Sequence, residues 1–151
     1  MKKIVLFLIC SIFLSACTTT NTLHSFSVDG RTKDVALENL IIVSNGTESY
    51  IQPTYQLFAI EHTNSKPADL VKQVNISFYD EEDNLFFTIN TGANQDGILD
   101  TRTTPLDDDV VGFITPSKNI EPGKNIFIEF VYEKDNQQVT EKVEVALQES
   151  N

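Results

Sequence analysis

The chain reads Gln73-Val74-Asn75-Ile76-Ser77-Phe78-Tyr79 at its most regular point. Apolar and polar residues alternate along this stretch, so Val74, Ile76 and Phe78 share one face and Tyr79 lies on the other. A period of two residues is typical of a β-strand with one buried face, because successive side chains of a strand point to opposite faces. Residues 73–79 therefore predict a strand that contributes Ile76 and Phe78 to a core.

The same alternation recurs along the chain, and turn-forming residues separate the runs. The predicted strands are Ser25 to Asp29, Val35 to Ser44, Tyr50 to Glu61, Leu70 to Tyr79, Leu85 to Asn90, Val110 to Ile114, Asn125 to Lys134 and Val139 to Leu147. Asn45-Gly46, Asp80 to Asn84 and Pro122-Gly123 are the clearest turn signals between them. Many short strands with frequent turns predict an all-β fold, an antiparallel β-sandwich or barrel of seven or eight strands. Pro53 indicates an edge position or a bulge within its run.

Two segments of the chain carry a family resemblance. One is Val74 to Asp80 followed by an acidic turn, and the other is Glu121-Pro122-Gly123-Lys124 followed by the alternating residues Phe127 to Phe130. Together they resemble small immunoglobulin-like domains of bacterial envelope lipoproteins. The turn of the first segment departs from that family, because Asp83-Asn84 stands where the family usually has glycine. The resemblance implies an immunoglobulin-like type of sandwich, and it implies almost nothing about function because such domains are adaptable scaffolds.

The N-terminus has the physical pattern of a secretory signal peptide. Lys2 and Lys3 precede a short apolar run from Ile4 to Leu14, and small residues follow it. The run is shorter than the roughly 20 apolar residues of a membrane-spanning helix. Leu14-Ser15-Ala16-Cys17 resembles the lipobox of bacterial lipoproteins, which implies cleavage before Cys17 and attachment of a diacylglyceryl group to its sulfur.

Three segments are therefore expected: a signal peptide at 1–16, a lipidated Cys17 with a short polar tether at 17–24, and one β-sandwich domain at 25–151. By the same resemblance, Thr18 in place of Asp favours the outer membrane, facing the periplasm, if the organism is Gram-negative. Cys10 is lost with the signal peptide, so Cys17 alone remains and no disulfide within the chain is expected.

The chain is strongly acidic. Its formal net charge is −11, which becomes −13 once the two lysines of the signal peptide are removed. Such a charge repels phosphate groups, so we expect no nucleic-acid partner, and the acyl chains on Cys17 would have to supply the membrane attachment.

The predicted connection from Asn90 to Asp109 is long for a compact domain, and connections of this length are usually functional or disordered. Within it, Asn94, Asp96 and Asp100 flank Gly97 and resemble a fragment of a calcium loop, because Ca²⁺ prefers oxygen ligands held by a tight turn. Asp107 to Asp109 are candidates to complete the ligand shell. The pattern departs from an EF-hand loop, which would place Gly92 at its first position and Thr103 at its last. A solvated turn is the expected alternative.

No pattern of catalytic residues is present. His24 and His62 lack metal-ligand spacing and are expected at the surface, and the chain has no Gly-x-Ser-x-Gly or Ser-x-x-Lys motif. We therefore expect no enzyme and no cofactor other than the Ca²⁺ alternative.

Two pairs of consecutive apolar residues raise the question of an exposed apolar surface. Phe86 and Phe87 are neighbours in a predicted strand, as are Phe127 and Ile128, so one member of each pair should lie off the core face. A second sheet or loop covering it is the expected arrangement, and a partner surface is the alternative.

Two functions remain open from the sequence. The first is a lipid-anchored, non-catalytic module that binds another envelope protein. The alternative is a receptor that holds Ca²⁺ or a small solute in the loop 90–109. The incomplete calcium pattern favours the first.

Overall fold

The computed structural model describes residues 22–60, 71–91 and 112–150. These residues form nine strands and no helix, and none of them belongs to a helix long and apolar enough to cross a membrane. The strands are β1 (His24–Arg31), β2 (Val35–Ser44), β3 (Glu48–Gln52), β4 (Gln56–Ala59), β5 (Lys72–Tyr79), β6 (Leu85–Thr91), β7 (Phe113–Pro116), β8 (Asn125–Lys134) and β9 (Gln137–Ala146).

The strands form two antiparallel sheets, and apolar residues from both sheets make one buried cluster. The first sheet has the order β1-β2-β3-β7, with β4 also pairing with β2, and the second has the order β6-β5-β8-β9. The predicted all-β antiparallel sandwich is therefore confirmed. Its immunoglobulin-like type stays a prediction.

The described part of the chain has nine strands where the sequence predicted seven or eight, because the predicted strand Tyr50 to Glu61 contains two strands, β3 and β4. Both β3 and β4 pair with β2, β3 along Ile41 to Ser44 and β4 along Val35 to Glu38. The interruption begins at Pro53, as expected for a residue that has no N–H to donate to a ladder. The two strands therefore lie end to end along the same edge of β2.

The predicted core of β5 is confirmed. Val74, Ile76 and Phe78 are fully buried, whereas Tyr79 is half-buried on the opposite face. The neighbouring strand β8 follows the same rule, since its alternate residues Ile126, Ile128, Phe130 and Tyr132 are also buried. The two sheets approach closely at Gly30, where an added Cβ would lie 2.9 Å from Ile128 Cδ1.

A bulge lets β2 keep its apolar residues inside along its full length. Asp29 of β1 faces both Glu38 and Asn39, and Asn39 has the left-handed φ of 61°. Asp29 Oδ1 accepts a hydrogen bond of 2.7 Å from the backbone N–H of Asn39. The extra residue shifts the alternation by one, so Leu37 before it and Leu40 after it are both buried.

The turns follow the predicted signals. Gly46 has a φ of 83° between β2 and β3, and Gly123 has a φ of 81° in a turn closed by the bond from Lys124 N to Glu121 O. Pro122 and Gly123 thus occupy the central positions of a type II turn, as predicted. In the β5–β6 turn, Asp83 takes the left-handed φ of 64° that glycine would usually supply.

Candidate binding surface

Most of the sites predicted from the sequence lie outside the described residues. This applies to Cys17, to the calcium candidates Asn94, Asp96 and Asp100, and to His62. Of the predicted loop 90–109, the structure describes Asn90 and Thr91 as the end of β6. The lipidation and calcium hypotheses therefore stay predictions. Within residues 22–60, 71–91 and 112–150, no group of three or more His, Cys, Asp or Glu side chains could hold a metal ion.

The C-terminal segment, residues 147–150, covers the side of the sandwich between β1 and β9. After β9, Leu147 is buried, Glu149 forms a β-bridge with Phe26, and Ser150 N donates a 2.7 Å bond to Ser25 O. His24 Nδ1 lies 3.0 Å from Glu149 Oε1, so this histidine is partly buried against the segment and is not a free surface group. The edges of the two sheets are thereby joined along this side.

Among the described residues, β6 and β7 are the neighbouring sheet edges on the opposite side, and we call this side the apolar seam, which consists of Leu85, Phe86, Phe87, Phe113, Ile114 and Thr115. Thr115 Oγ1 donates a 2.7 Å hydrogen bond to Phe86 O, and the rings of Phe87 and Phe113 lie 6.0 Å apart. An open cavity of about 400 Å³ lies along this edge and is lined by Leu85, Phe86, Phe87, Thr88, Phe113 and Thr115.

The seam holds most of the exposed large apolar residues of the described surface. Leu85 and Phe113 are each 55% exposed, and Ile114, on the outer face of β7, is 72% exposed. Apart from Leu23 near the N-terminal end of β1, these are the exposed large hydrophobic residues of the described chain. Their concentration at two neighbouring sheet edges marks a candidate binding surface.

The sequence predicted that either Phe86 or Phe87 would lie off the core face, but a bulge in β6 lets both rings pack against the core. Phe78 pairs with Phe87, but the next residue of β5, Tyr79, pairs with Leu85, so Phe86 is the extra residue. The ring of Phe78 lies 6.3 Å from that of Phe86 and 5.5 Å from that of Phe87. Both rings therefore pack against the same core residue, and Leu85 is the residue left exposed.

Phe127 does lie off the core face, as the alternation requires. It is half-buried on the outer face of the second sheet, where Lys142 Nζ stands 5.1 Å from its ring centroid and 4.9 Å from that of Tyr79. The same ammonium group is 2.8 Å from Asp83 Oδ1, and this contact raises the pKa of Lys142. A lysine side chain, and not a second sheet or a loop, covers this ring.

β7 approaches β3 so closely that Gly112, the residue before β7, has no room for a side chain. An added Cβ would overlap Ile51 O and would lie 2.6 Å from the ring of Tyr50. The N–H of Gly112 donates a 3.2 Å hydrogen bond to Tyr50 Oη. Gly112 is therefore required for β7 to sit at the edge of the first sheet.

The turn at one end of the seam is acidic and is closed by hydrogen bonds to Asp80. Asp80 is buried, and its Oδ1 accepts 2.9 Å bonds from the N–H groups of Glu82 and Asn84. Burial alone would raise the pKa of Asp80, but the hydrogen bonds from the side chain and backbone of Asn84 outweigh it and lower the pKa. Glu82 and Asp83 are exposed in this turn, next to Leu85.

A buried polar network lies away from the seam and links β8 and β9 to the β1–β2 turn. Tyr132 Oη lies 3.1 Å from Asp34 Oδ2 and 2.9 Å from Glu141 Oε1, and Lys134 Nζ donates to Asp34 Oδ1. Burial, followed by the hydrogen bond to Glu141, raises the pKa of Tyr132. Tyr132 on β8 donates toward these carboxylates, and Lys134 pairs with Asp34. The network is therefore a structural tie between the sheets.

No known protein family matches the chain, and comparisons with curated proteins and with solved structures find no match.

Proposed function

We propose that the chain is a lipid-anchored, non-catalytic lipoprotein of the cell envelope that acts as a protein-interaction module. The anchor is the predicted lipid on Cys17, which the resemblance to a lipobox supports. In a Gram-negative organism, the domain would face the periplasm from the outer membrane. The strong negative charge supports a protein partner over a nucleic acid.

The apolar seam is the observation that carries the interaction role. Among the described strands β7 is an edge strand that pairs with β3, and Phe113 and Ile114, each more than half exposed, lie on its two faces. An edge strand with exposed apolar side chains can accept an added strand, in which main-chain hydrogen bonds supply affinity and side-chain pockets supply specificity. The proposed occupant is an extended, apolar segment of an envelope protein.

Charge complementarity adds a second property of that segment. Exposed Glu82 stands near Leu85 at the seam, and exposed Glu48 faces Pro116 across the strand pair at the end of β7. A segment with basic residues beside its apolar centre would satisfy these acids, and in a chain of net charge −11 it would also be attracted at a distance.

Site-specific photo-cross-linking in cells tests the proposal. A photoreactive phenylalanine analogue replaces Phe113 in the seam or, as a matched control, Phe127 on the outer face of the other sheet. We expect a cross-link from position 113 whose partner site, mapped by mass spectrometry, lies in an extended apolar segment. A photoreactive residue placed in that segment of the partner should in turn cross-link to this chain. The substitution Leu85→Asp, which places a charge in the seam, should abolish the cross-link from position 113. Identical products from both positions, or none from position 113, would contradict the proposal.

A further inference from the structure

A second cavity lies on the outer face of the four-stranded sheet, away from the seam. Its volume is about 350 Å³, within the range of about 300–1,000 Å³ typical of small-molecule sites. The lining residues are Gln73, Asn75, Val131, Tyr132, Glu133, Asn136 and Gln138. Four of these seven carry side-chain carboxamides, and they come from β5, from the β8–β9 turn and from β9.

The backbone brings these amides together through two irregular positions. β5 has a bulge between Lys72 and Val74, and the extra residue, Gln73, has a left-handed φ of 44°. Asn136 also has a left-handed φ, of 57°, in the two-residue turn of the β8–β9 hairpin. The pairing of β5 with β8 places Asn75 opposite Val131, so these two residues lie side by side in the cavity lining.

The cavity has hydrogen-bonding capacity and almost no net charge. The four carboxamide residues are exposed, and no side-chain hydrogen bond ties their amides to other described residues, so each keeps both donor and acceptor groups for a ligand. Glu133 is the one carboxylate in the lining, and Lys72 Nζ lies 3.9 Å from its Oε1. Val131 is half-buried and offers one aliphatic surface between the polar groups.

We infer that this cavity binds a neutral saccharide, one or two hexose or N-acetylhexosamine units of a glycan. Hydroxyl groups of a sugar both donate and accept, as carboxamides do, and the C–H face of a sugar ring matches a single aliphatic residue such as Val131. The lining has no basic residue to bind an anion, and its one carboxylate, Glu133, already pairs with Lys72, which disfavours a cation. An apolar ligand would cover the amides without giving them hydrogen-bond partners.

Saturation-transfer-difference NMR on the full chain in micelles tests the inference, since it observes the ligand and tolerates a large complex. The detergent must not be a glycoside, because its headgroup would compete. The probes are cellobiose and N,N′-diacetylchitobiose. We expect saturable transfer to sugar ring protons with a Kd on the order of 1 mM, the affinity of a few neutral hydrogen bonds.

Variants assign the binding to the cavity. Asn75→Ala should weaken binding about fivefold, which corresponds to one lost hydrogen bond, and adding Gln138→Ala should weaken it further. Gln148→Ala removes an exposed amide outside the cavity and should leave the Kd unchanged. Circular dichroism checks that each variant is folded. No saturable transfer from either disaccharide, equal Kd values for Asn75→Ala and Gln148→Ala, or preferential binding of a neutral peptide would overturn the inference.

Discussion

Truncation of Phe78 to alanine tests how the sandwich is held together. Phe78 is fully buried on β5, and its ring contacts those of Phe86 and Phe87 at centroid distances of 6.3 and 5.5 Å. Removing such a ring costs about 3–5 kcal/mol through lost burial and the cavity left behind. Because a small domain has only about 5–15 kcal/mol of stability, this loss is a large share of the total.

Tyr79→Ala is the matched control, because Tyr79 is the next residue of the same strand and faces outward. Its ring is half-buried beneath Lys142, and its hydroxyl donates a 3.4 Å bond to Glu129, so we expect a loss of about 1 kcal/mol. The assay is urea unfolding of the chain from Thr18 onward. With a slope of about 2 kcal/mol/M, Phe78→Ala should lower the midpoint by about 2 M and Tyr79→Ala by about 0.5 M. Equal losses at both positions would refute the assignment of one core face to β5.

Two further predictions rest on particular contacts, and a third tests the calcium alternative. Gly30→Ala should destabilise the fold by about 1–3 kcal/mol in urea unfolding, because its Cβ would press on Ile128 at 2.9 Å, and an unchanged midpoint would mean that the sheets are farther apart. The raised pKa of Tyr132 should make stability fall as the pH rises above about 10, the usual tyrosine value, and this loss should be smaller in Tyr132→Phe, where the raised pKa of Lys142 still contributes. Millimolar Ca²⁺ should raise the thermal midpoint no more than Na⁺ of equal ionic strength, whereas a saturable calorimetric site lost on Asp96→Ala with Asp100→Ala would favour the calcium receptor.

The sequence predicted the features that depend on local pattern. Alternation alone placed Ile76 and Phe78 in the core, and the residue preferences of tight turns located the turn at Pro122-Gly123. The sequence predicts an edge position or a bulge at Pro53, whereas Pro53 lies outside the strands, in the break that divides the predicted strand into two. These features are legible because each is set by a few neighbouring residues.

The features that were missed depend on which strands become neighbours. The bulge at Phe86 exists because β6 pairs with β5 in one register, and nothing in the local sequence fixes that register. The exposure of Leu85 and Phe113 depends on β6 and β7 lying at the edges of their sheets, which is a property of the topology. The carboxamide cavity likewise joins residues about 60 positions apart in the chain, with Gln73 and Asn75 at one end and Asn136 and Gln138 at the other.

Central to the proposed function is the lipid on Cys17, and metabolic labelling with an acyl-chain analogue measures it most directly. Cys17→Ser removes the sulfur that would receive the diacylglyceryl group, while Cys10→Ser removes the other cysteine and serves as the control. We predict that labelling and cleavage are lost in Cys17→Ser and retained in Cys10→Ser. Undiminished labelling of Cys17→Ser would contradict the account.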